Sequence, residues 1–410
     1  MTVLFQKSPN SPSVSMGVWV RIGSRHETNL ERGYTHFLEH MLFKGTSKRT
    51  SKQQAEEIER VGGFVNAATS REYTYFYAIV MKEELRLGLD LLSDMIFSPL
   101  LSPKDTKSES SVIIEEMKSY EDNPEEYLSD KYMQNILPNS SLGLDIIGNF
   151  DSVSNATADS IRSYYEKYYT PDRMIVAVVG DYDEKMVSDL VESYFGSFTR
   201  KSTPTPIEVS PIKSFTKHLE KRKLEQINFL LGANGFPKSI ENAIYLNLFS
   251  TFFAQNTSSR LFQTIREEKG LCYNITCFSS SYTDTGIFSI SCGTSKKNFA
   301  YALESIIDEI KILLKDDGIK KEELDDAKSN QKGGLSIGFE LPENKMIDIA
   351  MQEFFYGNYY SYEDRVNLIE RSNLERMEEI VKEIFDLDAL HLSAIGDIKQ
   401  AEFKNLETKI

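Results

Sequence analysis

Two of the chain's five histidines stand four residues apart in "THFLEHMLFKGT", Thr35 to Thr46, with an acid just before the second. On a helix, at about 100° per residue, His36, Glu39 and His40 fall at about 0°, 300° and 40°, so all three project from one face. Imidazoles one turn apart can both reach a single Zn²⁺ at about 2.0–2.1 Å, while the acid between them addresses a bound water. The order is His-x-x-Glu-His, the reverse of His-Glu-x-x-His. Read alone, the pentapeptide also suits a surface helix with two solvated histidines. Catalytic zinc further requires a third protein ligand and an open position.

The segment best able to supply that ligand is "ESSVIIEEMKSYEDNPEE", where Glu109, Val112, Ile113 and Glu116 lie at i, i+3, i+4 and i+7, one stripe of a helix. Carboxylates on a core-facing stripe must be paired, protonated or metal-bound, because burying an isolated charge is costly. Glu115, about 100° round, is expected to face solvent. The alternative in so acidic a chain is a mostly exposed helix.

Five stretches, "GVWVRIGSRHE", "GYTHFLEHMLFKGT", "GGFVNAATSREYTYF", "SVIIEEMKSYEDNPEE" and "SSRLFQTIREEKGLCYNI", spread over most of the chain, carry a resemblance. The sequence resembles the pitrilysin and insulysin superfamily of zinc peptidases, in particular the short forms related to mitochondrial processing peptidase. The resemblance implies one zinc per chain, held by His36, His40 and, 76 residues further on, Glu116. It implies Glu39 as general base and Glu109 as the acid that orients a ligand imidazole through its far nitrogen. Arg266 and Tyr273 would donate hydrogen bonds to the substrate backbone, Tyr273 near the oxyanion. The run Asn66-Ala67-Ala68-Thr69 would be an edge strand to which an extended peptide adds. Without the resemblance, Arg266 reads as an exposed helix residue ahead of a C-cap at Gly270, Tyr273 as a core aromatic, Asn66 as a turn residue and His26 as a loop histidine.

The elements that must position these residues are written twice. "SIRSYYEKYYTPDRMIVAVVGDYD" reads helix, break, buried strand, then Gly180-Asp181; "NLERMEEIVKEIFDLDALHLSAIGD" repeats the order and closes on Gly396-Asp397, 216 residues later. The segments beginning at Gly62 and Gly270 both read strand, turn, strand, amphipathic helix. The expectation is an α+β fold of two homologous domains related by internal duplication, each a mostly antiparallel sheet packed against helices. Residues 1–200 would form the metal-binding domain and 215–410 a homologous domain contributing substrate-binding residues. The Pro- and Thr-rich stretch 201–214 reads as an extended linker. At the same offset His36, Glu39, His40 and Glu116 map onto Phe252, Gln255, Asn256 and Lys332, so the second domain is expected to hold no metal.

Composition sets the wider limits. At 410 residues, 40% hydrophobic and 27% charged, the chain is long enough for two cores. A formal net charge of -15 argues against a nucleic-acid groove or an anionic membrane surface as partner. Cys272, Cys277 and Cys292 are odd in number and form no CxxC, which reads as buried thiols in a reducing compartment, the cytoplasm. Longer members of the superfamily carry four such domains around a chamber, so this chain is expected to pair, as a homodimer or with a metal-free paralogue, on a flexible peptide substrate. Two other readings stand beside the metalloendopeptidase: an inactive scaffold subunit of a processing-peptidase-like dimer, and a maturation peptidase of narrow choice.

Overall fold

Among the described residues, ten strands build two five-stranded sheets with the same plan. They are β1 (Thr2–Lys7), β2 (Ser13–Val20), β3 (Phe64–Thr69), β4 (Thr74–Met81), β5 (Met174–Gly180), β6 (Thr216–Lys221), β7 (Gln226–Gly235), β8 (Cys272–Ser281), β9 (Gly286–Ser295) and β10 (His391–Gly396). The helices are α1 (Tyr34–Leu42), α2 (Ser51–Glu59), α3 (Leu85–Phe97), α4 (Pro103–Asp122), α5 (Pro124–Ile136), α6 (Phe150–Ser154) and α7 (Ala158–Tyr168). They continue with α8 (Glu184–Phe195), α9 (Ile240–Ser250), α10 (Phe299–Leu313), α11 (Lys321–Gly338), α12 (Pro342–Tyr356), α13 (Tyr362–Arg371) and α14 (Leu374–Ile384). The computed structural model describes residues 1–202 and 216–399; the expected linker therefore lies, from residue 203 on, outside the described residues. No helix among them is long and apolar enough to cross a membrane.

The first sheet runs β1-β5-β2-β4-β3 and the second β6-β10-β7-β9-β8. In each, the first pair is parallel and the rest antiparallel. The duplication seen as a 216-residue offset is thus a duplication of topology, and the fold is α+β as expected. Chain order and compactness differ, however. One compact unit comprises Met1–Ser119, Leu144–Glu208 and Ile337–Tyr359; the other comprises Tyr120–Gly143, Val209–Ser336 and Tyr360–Ile410.

In the first unit, β4 alternates: Thr74, Phe76, Ala78 and Val80 are buried and the residues between them only partly so. Its inner residues pack with Phe37, Leu38 and Met41 of α1, Leu89 and Leu92 of α3, and Ile161 and Tyr165 of α7. All seven residues of β5 are buried, which a sheet covered on one face cannot achieve. The second cover is α12, whose Met346, Ile349 and Ala350 lie against Trp19, Ile175, Ala177 and Val179. Burial of Met346 and Ile349 contributes about 1.5–3 kcal/mol each. That is enough to hold a helix that starts on Pro342 and stops at Gly357 with φ +59°.

The second unit mirrors this with a helix from the first half of the sequence. Leu128, Tyr132, Met133 and Ile136 of α5 cover Leu230, Ile287 and Ile395 on its sheet. The Tyr132 hydroxyl meets Ser289 Oγ at 3.1 Å. It comes so near Gly232 that a Cβ there would lie 1.5 Å from the Tyr132 oxygen, so glycine is required for close approach. Each half of the sequence therefore supplies one outer helix to the unit built mainly from the other half.

Candidate metal centre

Helix α1 is amphipathic in a specific sense: Phe37, Leu38, Met41 and Leu42 go into the core, leaving His36, Glu39 and His40 partly buried on the remaining face. On α4 the buried residues are Thr106, Glu109, Ser110 and Ile113. Val112 is not among them; it is 49% exposed, which corrects the stripe expected from the sequence. Glu109 and Ile113 are buried as expected, and the hydroxyls of Thr106 and Ser110, rather than Val112, complete the buried stripe. Ser110 can be buried because its Oγ donates to Val153 O at 2.9 Å. Glu115 faces solvent and pairs with Lys118.

This turn of α4 aims Glu116 at the two imidazoles. His36 Nε2 lies 3.9 Å from Glu116 Oε1, and His40 Nε2 lies 3.7 Å from Glu116 Oε2. The ring centroids are 4.5 Å apart. One donor atom from each of the three lies within 4.8 Å of the others. Two nitrogens and a carboxylate oxygen around a tetrahedral ion at about 2.0–2.1 Å stand roughly 3.3 Å from each other. The two nitrogen–oxygen separations, to different oxygens of Glu116, exceed that by about half an ångström. Burial, reinforced by the neighbouring His40, drives His36 down to about 3, so its ring is neutral with a lone pair free, the state a metal requires. The donor set fits a divalent ion of borderline softness such as zinc.

Around the three donors the contacts are specific. His40 Nδ1 meets Glu109 Oε1 at 2.9 Å, and the other oxygen of this buried carboxylate takes Lys44 Nζ at 2.5 Å. Such a partner fixes which ring nitrogen carries the proton and raises the basicity of the other. Among the described residues His36 has no counterpart; its Nδ1 is buried and unmatched. Glu39 accepts a short hydrogen bond from the Thr69 hydroxyl. Burial lifts the Glu39 carboxyl above its ordinary value, opposed by that hydroxyl and by His40. Lys44 and the Thr69–Glu39 bond were not read from the sequence. The alternation of β3 could have indicated the second, since Val65 and Ala67 pack on the core side with α1 and Thr69 shares their parity.

Asn66 and Ala67 lie on β3, which among the described residues is the terminal strand of its sheet and pairs only with β4. Asn66 is exposed, and its Oδ1 accepts from the Ala67 amide at 2.9 Å. His26 is not in an irregular loop but closes a short 3-10 turn, Ser24–His26, and its Nδ1 accepts from Gly23 N at 3.1 Å. In the second unit, Arg266 sits in a π-type turn, Phe262–Glu268, with its guanidinium 4.4 Å above the Phe262 ring and 5.9 Å from the Tyr273 ring. Gly270 ends the turn at φ +61°, as a C-cap should. Tyr273 is no core aromatic: it is 76% exposed at the start of β8. Phe252 and Gln255 fall in another π-type turn, Thr251–Gln255, followed by Asn256, and Lys332 on α11 pairs with Glu370. Among the described residues, His36, His40 and Glu116 form the one cluster of three His, Cys, Asp or Glu with converging donor atoms. The three thiols are free; Cys277 and Cys292 are buried, whereas Cys272 is only half-buried.

Residues 2–149 match the insulinase family (peptidase family M16), and residues 155–331 match the peptidase M16 inactive domain. An uncharacterized zinc protease of Bacillus subtilis is 37% identical over 94% of both chains. One of Mycobacterium leprae is 33% identical over 94% of this chain and 87% of its own. Among solved structures, a protease from Helicobacter pylori superposes with a TM-score of 0.89 at 20% identity, covering 96% of each chain. A peptidase M16 inactive domain from Pseudomonas fluorescens gives 0.90 at 17% identity, covering 97% of this chain and 96% of that one. Both solved structures share the fold of this chain, with its two five-stranded α+β units. The chain belongs to the insulinase family of peptidases, M16.

Proposed function

We propose that the chain is a zinc metalloendopeptidase that hydrolyses flexible peptides or unfolded protein termini. The observation that carries this is the convergence of His36, His40 and Glu116, with Glu39 on the same helix as the two histidines. His36, His40 and Glu116 would hold the ion, which when bound supplies Lewis acidity for activating water and polarising the scissile carbonyl. Glu39 takes the proton of the attacking water and returns it to the leaving amine. The Thr69 hydroxyl occupies Glu39 Oε2, which leaves Oε1 for proton transfer. Glu109 keeps the His40 proton on Nδ1 and so directs Nε2 inward.

The edge of β3 at Asn66 and Ala67 takes the substrate as an added strand, so main-chain pairing supplies affinity with broad tolerance of side chains. Arg266 and Tyr273 donate to the substrate backbone, Tyr273 to the developing oxyanion. Their exposure and mutual proximity in the second unit support this reading. A dimer, with itself or with a metal-free paralogue, would enclose the substrate. The free thiols fit a cytoplasmic setting. The test is metal analysis with a quenched-peptide assay. Wild type should bind one zinc per chain and lose it when Glu116 is replaced by Ala; full activity in the Glu116→Ala variant would end the proposal.

A further inference from the structure

The loop Gly23–Glu27 grips two different elements. On one side its main chain docks on the β3–β4 turn: Ser24 N donates to Ser70 O at 3.2 Å and Arg25 N to Arg71 O at 2.8 Å. The approach is close enough that a Cβ on Gly23 would lie 2.3 Å from Ser70 O. The Arg25 guanidinium meets Glu72 Oε1 at 2.5 Å, with both side chains almost fully buried. On the other side, Glu27 Oε2 accepts from Gly33 N and Oε1 from Thr35 N, each at 2.8 Å.

Those two amides open α1, which needs an outside partner. Its N-cap is Gly33 at φ +86°, so it has no capping side chain, and its first turn contains no acid. A nine-residue helix is too short to stand by itself, and its first N–H groups have no partner within the helix. Glu27 supplies both the acceptors and the negative charge that a helix N-terminus favours. His36 follows the second captured amide directly.

We propose that Gly23–Glu27 is a positioning clamp that sets the metal-binding helix α1 against the peptide-receiving strand β3, Glu27 holding α1 and Arg25 holding the strand. The inference rests on the metallopeptidase reading above. Neither residue touches metal or substrate; each acts through the element it grips. Because the Glu27 bonds end on α1 and those of Arg25 on the turn, damage to each has a different signature.

The experiment measures zinc affinity by chelator competition at pH 8, kcat and KM on a quenched peptide, and thermal melting. The variants are Glu27→Gln and a paired R25L/E72L that removes both buried charges together. An amide at position 27 turns a donor toward one of the two N–H groups, so E27Q should weaken zinc binding roughly tenfold, as loss of a supporting contact behind a ligand typically does, and lower kcat with little change in KM. R25L/E72L should raise KM roughly tenfold while zinc affinity stays within about twofold of wild type. Should either variant fail to fold, Glu27→Asp, too short to span both amides, and Arg25→Lys carry the same expectations. Zinc affinity unchanged in the Glu27 variants overturns the proposal, as does a loss of zinc and KM together in both sets that only tracks melting temperature. Failure of the underlying reading looks different, because wild type itself would then bind no zinc or would keep it when His36 is replaced by Ala.

Discussion

Replacing Glu109 tests how much the contact behind His40 contributes to the centre. Its two oxygens serve two donors, His40 Nδ1 at 2.9 Å and Lys44 Nζ at 2.5 Å. Lys44 is about one-third exposed and can turn to water, whereas Glu109 is only 5% exposed by side chain. In Glu109→Gln the remaining carbonyl oxygen can still accept from His40 once Lys44 swings out, so a charge-assisted bond becomes a neutral one. A bond to a charged group is worth about 1.5–3 kcal/mol and a neutral one about 0.5–1.5. The difference of about 1–1.5 kcal/mol corresponds to roughly tenfold weaker zinc binding. In Glu109→Leu no acceptor remains, Nδ1 loses its partner, and the full 1.5–3 kcal/mol gives roughly 10- to 100-fold. The assay is competition against a chromophoric chelator at fixed pH, with zinc dissociation rates as a second readout. A Glu109→Leu protein holding zinc as tightly as wild type would refute the reasoning, because Glu109 would then be only a counter-ion to Lys44.

Glu39→Gln should retain zinc and lose about 10²- to 10⁴-fold in turnover, the usual worth of a general base; metal content and initial rates on one preparation check it. Gly232→Ala should destabilise the second unit by about 1–3 kcal/mol through overpacking against Tyr132, read as a lower denaturant midpoint, and truncating Tyr132 to Leu in the same chain should recover part of that loss. Burial lifts Glu27 up to about 7, against the hydrogen bonds from Thr35 and Gly33. A folded-state value above the unfolded one of about 4.5 means its stabilising contribution is complete below about pH 4.5 and lost as pH rises through about 7. The stability difference between wild type and Glu27→Gln should accordingly shift against wild type by about 3 kcal/mol between pH 4.5 and 7.5. Urea titrations of the metal-free proteins at four pH values would expose a flat difference, which would contradict it.

His36, Glu39 and His40 were legible because helical periodicity alone puts them on one face, and a nine-residue helix leaves little room for another arrangement. The helix stripe offered Glu109 and Glu116 as carboxylates for the third position, and the family's spacing chose Glu116. On its own helix the apolar pattern pointed at Val112, and the chain instead buries Ser110 and Thr106, whose hydroxyls find backbone acceptors. Hydrophobicity does not register that a buried hydroxyl has been satisfied locally. The duplication was legible for the same reason as the helix face: strand and helix periods survive divergence. The exchange of α5 and α12 was not. Both follow a long helix and open on proline, so each reads as a continuation of its own half. Which sheet they cover is decided by contacts with strands far away in sequence.

That exchange bears on the centre itself. A sheet with β5 buried on both faces is complete only when α12 is in place, and α12 belongs to the second half of the sequence. Strand β2, on which α12 packs, pairs with β4, and β4 pairs with β3; on the α12 face Trp19 stacks on Tyr75 at 5.3 Å and Tyr75 on Tyr77 at 5.5 Å. The helix that carries His36 and His40 and its neighbouring edge strand therefore rest on a sheet that residues 1–200 cannot finish alone. Expressed alone, residues 1–200 should expose the apolar outer face of Ile175, Ala177 and Val179 and bind zinc weakly or aggregate. Supplying the remainder of the chain in trans should restore both solubility and zinc binding. A soluble, tight-binding fragment of residues 1–200 would show instead that α12 is dispensable to the centre.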